Sequence, residues 1–175
     1  MAKQSADKKL IQRKNQWLLS QVEVDYPTKE SLIGRDLYFN YTKTQETVQL
    51  SLDNLMPASP LVEEFYLVDF HRLTIIFSLL QSQHWPQERD QAMVLEFLSQ
   101  IILDGEVSLY VGFRQQEAIC AAIVTQEQDA WLISDTVSAK GGLTGLDIAY
   151  ALYHHLVEHG ESAEQLYVEL PHNIH

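Results

Sequence analysis

Apolar and polar residues alternate with two different periods along this chain, and the change of period divides it into elements. Residues Lys3 to Gln21 place Leu10, Ile11, Trp17, Leu18 and Leu19 near helical spacing, with Ser5 in position to cap the start, so a first helix is predicted there. Asp36 to Tyr41 and Thr47 to Leu52 alternate as two strands of a hairpin, joined by the polar stretch Thr42 to Glu46. Asp53 to Pro60 carries two prolines and reads as a linker. Beyond it, Val62 to Asp69 suggests a strand. Leu73 to His84 and Gln87 to Asp104 suggest two helices broken at Trp85 and Pro86, with Gly105 as the C-terminal stop of the second.

Three strands in close succession follow: Val107 to Phe113, Ala118 to Thr125 and Ala130 to Val137. Their connections, Arg114 to Glu117 and Gln126 to Asp129, have hairpin length. A Gly-rich corner leads into a helix from Leu146 to His159, a stop at Gly160 and a last strand from Gln165 to Leu170. The expected class is a mixed α+β fold with a mostly antiparallel central sheet and flanking helices. It is read as one compact unit, with residues 1–60 as an extension that adds a helix and a hairpin to a core over residues 61–175.

Composition narrows the picture. With 175 residues, 46% of them hydrophobic, the chain is long and apolar enough for a full core, which excludes a disordered or fibrous class. The single Cys120 lies in the apolar run Ala118 to Val124, cannot make an internal disulfide, and is read as a small core residue. The first fourteen residues hold five Lys or Arg against one Asp and lack the apolar stretch of a signal peptide, so a cytoplasmic setting is expected. No apolar run is long enough to predict a membrane span.

Charge is segregated. The first fourteen residues sum to +4, and the remainder holds seven basic residues against 23 acidic ones. A body this acidic repels phosphate backbones, so nucleic acid is not an expected partner. It suits a cationic small molecule or a Lys side chain.

Candidate chemistry concentrates at the corner. Gly141, Gly142 and Gly145 are three of the seven glycines, and Lys140 beside them is the one Lys or Arg among the last 61 residues. Amides at such a strand-to-helix corner can face an anion. Against this stands a structural reading, in which Lys-Gly-Gly is a flexible turn and Thr144 or Asp147 caps the helix. His155 and His159, four apart, have the spacing of two metal ligands, but the His-Glu-x-x-His pattern is missing and a helix C-terminus favours His without any metal, so no metal is assigned.

The order strand, two helices, three-strand meander, Gly-containing corner, long helix and strand over about residues 62–173 resembles the GCN5-related N-acetyltransferase (GNAT) superfamily. Members of that family place Gln/Arg-x-x-Gly-x-Gly/Ala at the corner. Counted from Val137, this chain has Gly142 at the Gln/Arg position, Gly145 at the first Gly and Asp147 at the last, so one position in three matches. The resemblance implies acetyl-CoA or another acyl-CoA as substrate and an amine as acyl acceptor. It implies main-chain donors at Val137 and Ser138, and pyrophosphate contacts over Gly142, Leu143, Thr144 and Gly145 with Lys140 above them. It also implies a base on the adjacent strands, for which Asp135 is best placed, although alternation would equally let Asp135 end its strand at the surface. Tyr110 or Tyr153 would protonate the leaving thiolate, and Asn173 stands near the family's second mark.

The family's last helix and strand pair do not follow. The sequence is then a piece of a longer chain, a reduced relative, or a permuted arrangement in which Lys3 to Leu52 takes their place. Two functions compete: an N-acyltransferase using acyl-CoA, and a non-catalytic binding or assembly module on the same scaffold. An exposed Trp85 or Trp131 would favour the second. A homodimer is compatible with either.

Overall fold

The structure is a computed structural model that describes residues 5–172. It consists of α1 (Ala6–Ser20), α2 (Lys29–Thr42), β1 (Gln45–Leu50), β2 (Glu64–Leu67), α3 (His71–Ser82), α4 (Glu88–Leu98), β3 (Ser108–Arg114), β4 (Glu117–Glu127), β5 (Ala130–Ser138), α5 (Gly145–Glu158) and β6 (Gln165–Pro171). Short 3-10 turns lie at Leu52–Asn54 and Ala139–Gly141. The class is mixed α+β, as expected.

All six strands form one sheet in the order β1-β6-β5-β4-β3-β2, antiparallel except for the β5–β6 pair. A parallel neighbour needs a crossover connection, which α5 provides. That helix buries Ile148, Ala149, Leu152 and Leu156 against one face, on Trp131 and Ile133 of β5 and Leu166 and Val168 of β6. The opposite face carries the larger cluster, in which Trp17, Tyr38, Phe77 and Phe97 from α1 to α4 cover Val111, Ala121 and Ile123.

Two expectations are corrected. Residues 36–41, expected as a strand, lie inside α2, so there is no hairpin. Their alternation is the C-terminal part of a helical face: Ser31, Gly34 and Tyr38 are its buried positions. Thr28 caps the helix by accepting the Ser31 amide, and Gly34 lets it approach α4 so closely that a Cβ there would stand 1.9 Å from the Met93 carbonyl oxygen. β1 pairs instead with β6, from Gln45 opposite Pro171 to Leu50 opposite Leu166. The N-terminal segment thus adds one strand beside the last one.

The second correction concerns α4, which stops at Leu98 rather than running to Gly105. Residues beyond it are held by α1: the Gln21 side chain accepts the Ile102 amide at 2.8 Å, and Asp104 accepts the Trp17 indole N–H at 3.1 Å. Gly105 has φ +82° within this loop.

Candidate active site between the parted ends of β5 and β6

The parallel ladder between β5 and β6 ends at Ile133 opposite Val168. Past that point β5 bulges: Asp135 and Thr136 face the single Ala122 of β4, and Asp135 adopts φ 54°. A bulge raises local twist, and the two strands part. The N-terminus of α5 is wedged into the gap. A Cβ on Gly145 would meet Leu170 Cδ2 at 2.7 Å and Thr136 Oγ1 at 2.8 Å, so a close approach to both strands requires glycine here.

The same parting opens a cavity of about 470 Å³, walled by His84 behind α3, by Thr136, Val137 and Ser138 of β5, and by Gly145 and Pro171. Lys140, Gly141 and Leu143 reach its rim. The residues read from the sequence as a ligand corner therefore largely converge on one cavity.

Their hydrogen bonds are mostly internal. The Leu143 amide donates to Ser138 Oγ at 2.9 Å, the Thr144 amide to Asp147 at 2.9 Å, and the Asp147 amide to Thr144 Oγ1 at 3.1 Å. Thr144 and Asp147 form a capping box, the structural alternative noted from the sequence. Gly142 faces open space, with an apolar hollow of about 140 Å³ beside it. Lys140, at φ 59°, is exposed and lies 3.7 Å from Glu117. The first two amides of α5, on Gly145 and Leu146, have no intrahelical acceptor.

Asp135 does not end its strand at the surface. Its side chain is buried, one residue before the cavity wall begins at Thr136; Oδ2 accepts from Lys14 Nζ at 2.9 Å and from Ser134 Oγ at 2.6 Å, and Oδ1 accepts from the Tyr38 hydroxyl. The Lys14 ammonium also donates to Glu169 Oε1 on β6 at 2.8 Å. The Asp135 carbonyl accepts from the Gln81 side-chain amide of α3.

The charges tune one another. Burial alone would raise the Asp135 carboxyl, but Lys14, Ser134 and Tyr38 together hold it below the usual carboxylate range. Burial likewise opposes the charge on Lys14, and the two carboxylates overcome that and raise its pKa. Glu169 is raised by burial and by the Asp135 charge, against Lys14. Tyr38 is pushed well up by burial and by Asp135.

Other sequence candidates lie elsewhere. Tyr153 packs edge-on against Trp131 at 5.7 Å, eight residues along α5 from Gly145, or about 12 Å at the helical rise. Tyr110 lies under the same helix, edge-on to His155 at 6.3 Å, its hydroxyl pushed up to about 12 by burial. Asn173 falls outside the described residues. His155 and His159 stack at 4.1 Å, and among the described residues no three His, Cys, Asp or Glu side chains cluster around a metal position. Trp85 and Trp131 are both buried, so neither offers the aromatic surface of an assembly module. Cys120 is a core residue whose thiol burial pushes up to about 12.

Two residues escaped the sequence reading. Lys14 had a visible signal, since it shares the buried face of α1 with Leu10, Trp17 and Leu18. His84 had almost none, standing alone before the Trp85-Pro86 break. It is half-buried, stacks on Tyr41 at 4.6 Å and bonds the Tyr41 hydroxyl through Nδ1 at 3.1 Å, while its buried Nε2 has no hydrogen-bond partner. Burial lowers its pKa, against the Asp135 charge and the nearby Thr136 backbone.

No helix among the described residues is long and apolar enough to cross a membrane. The sequence matches no protein-family model and no curated protein. Among solved structures, a GCN5-related N-acetyltransferase from Kribbella flavida is similar to this chain with a TM-score of 0.46 and 10% identity, over 76% of this chain and 52% of its own. The chain thus spans about half the length of that protein.

Proposed function

We propose that this protein binds an acyl-CoA thioester in the cavity between the parted strands and transfers its acyl group to an amine. The observation that carries the reading is the separation of β5 from β6 after Ile133 and Val168, which leaves the β6-facing edge of β5 without a ladder partner beside a cavity. A free strand edge offers alternating amide and carbonyl groups, to which an extended amide-bearing arm pairs as an added strand would. Val137 and Ser138 supply that edge, and the amides of Gly145 and Leu146 at the α5 N-terminus face the phosphates.

The reaction joins the amine nitrogen to the thioester carbonyl and breaks the C–S bond, with the sulfur leaving as thiolate. It requires removal of a proton from the ammonium form of the acceptor and donors for the tetrahedral oxyanion. A cationic acceptor, a polyamine or a Lys side chain, suits the formal charge of −12.

A specific observation favours a second reading, a binding module without CoA competence. The capping box engages the Thr144 and Asp147 amides, and the Asp147 carboxylate occupies the anion position at the start of α5. Calorimetric titration with acetyl-CoA in phosphate-free buffer separates the two. Saturable binding supports the transferase, and no heat at millimolar acetyl-CoA sinks it.

A further inference from the structure

We infer that His84 is the proton acceptor of this cavity, its ring held by Tyr41, an assignment that rests on the acyl-CoA reading above. Three structural features meet at this residue. His84 lines the same cavity as Thr136, Val137 and Ser138. Its Nδ1 is engaged by Tyr41 and its ring face is stacked on the same side chain, so the imidazole has one orientation. Its Nε2 is the polar atom left over, buried and without a hydrogen bond of normal geometry, with the Thr136 backbone near the ring.

An orphaned buried polar atom is unfavourable, and native structures retain few of them. A ligand group that reaches Nε2 would supply the missing bond. In the tautomer with Nδ1–H donating to the Tyr41 oxygen, Nε2 carries the lone pair. Burial lowers the pKa of the ring and so favours its neutral, proton-accepting form. Tyr41, whose hydroxyl is pushed up to about 12 by burial, stays protonated and serves as a fixed partner rather than a second acid.

Asp135 is not part of the cavity wall and has both carboxylate oxygens taken by Lys14, Ser134 and Tyr38, which leaves His84 as the imidazole of the wall, with one nitrogen that makes no hydrogen bond. The proton path balances. An acceptor ammonium gives one proton to Nε2; the neutral amine adds to the thioester carbonyl; the C–S bond breaks. The remaining excess proton on nitrogen passes to the thiolate, and the imidazolium returns its proton to water.

The experiment uses the full chain with His84→Gln, which keeps the size of the side chain and removes the titrating ring. Acetyl-CoA affinity is measured by calorimetry, thiol release with spermidine as amine probe, and the His84 ring nitrogens by ¹⁵N NMR during an acetyl-CoA titration. The expected result is a moved Nε2 resonance in the wild type, an affinity in the variant within about twofold of wild type, and thiol release lowered by about 10²-fold or more. Partial rescue of His84→Ala by added imidazole would support the same role and would not follow from a packing role. Bound acetyl-CoA that leaves the His84 resonances unmoved, or a His84→Gln variant with thiol release within twofold of wild type, overturns the assignment alone. Absence of acetyl-CoA binding to the wild type overturns the acyl-CoA reading, and this one with it.

Discussion

Lys14 of α1 donates to Asp135 of β5 at 2.9 Å and to Glu169 of β6 at 2.8 Å, bridging the two strands just past the point where their ladder ends. All three side chains are almost wholly buried, so the ammonium replaces water for two carboxylates at once. The N-terminal helix is thereby tied to the two strands whose parting forms the candidate site.

Removing that cation leaves two buried acids facing each other. Lys14→Met is expected to lower unfolding free energy by about 3–5 kcal/mol, read from urea denaturation. Adding Asp135→Asn and Glu169→Gln to Lys14→Met should recover part of the loss, because the uncompensated charge is then gone. A triple variant no more stable than the single one would show that lost packing of the Lys14 stem dominates.

The same cluster sets the pH response. The folded pKa of Lys14 lies above its ordinary 10.5, so its contribution is complete below that value and is lost as pH rises through the raised one. The folded pKa of Asp135 lies below its ordinary 3.8, so its contribution is present above that value and lost as pH falls through the lowered one. Glu169, raised, works the other way and favours the fold in its protonated form. Urea midpoints across pH should fall at the alkaline end in the wild type, and Lys14→Met should flatten that limb.

Glycines of the corner should separate by role. Gly145→Ala drives a Cβ into Thr136 and Leu170 and is expected to destabilise by about 1–3 kcal/mol. Gly142→Ala enters open space at φ −76° and should leave the melting temperature unchanged or slightly raised. Thermal melts of the two variants check this directly, and equal losses would contradict the wedge.

Asp147 gives a test with opposite signs on stability and binding. Asp147→Ala removes the carboxylate that accepts the Thr144 amide and should reduce stability by about 1 kcal/mol. It also clears a negative charge from the start of α5, so acetyl-CoA should bind more tightly than to the wild type. Weaker binding in a folded Asp147→Ala protein would remove the corner from the phosphate site.

Part of this was legible in the chain. The meander of β3, β4 and β5 announced itself through apolar runs bounded by short polar connections, and α5 and β6 through a Gly160 at φ +90° between two clear periods. The corner was visible as a cluster of small residues beside one lysine, and five of the seven residues from Val137 to Leu143 line one cavity. The role of Gly145 was not: the sequence suggested room for a phosphate, whereas Thr136 and Leu170 are what demand a missing side chain.

Sequence by itself determined the mixed class, the order of elements from β2 to β6 and the acidic surface, because periodicity and turn chemistry act over a few residues. Tertiary structure decided α2, whose alternation is overruled by a face closing on Met93. It decided the partner of β1, and it placed a lysine from a basic terminus in the core, beside Glu169 at a sequence separation of 155. A charge can be buried only where its partners already stand, and no local pattern records partners that distant.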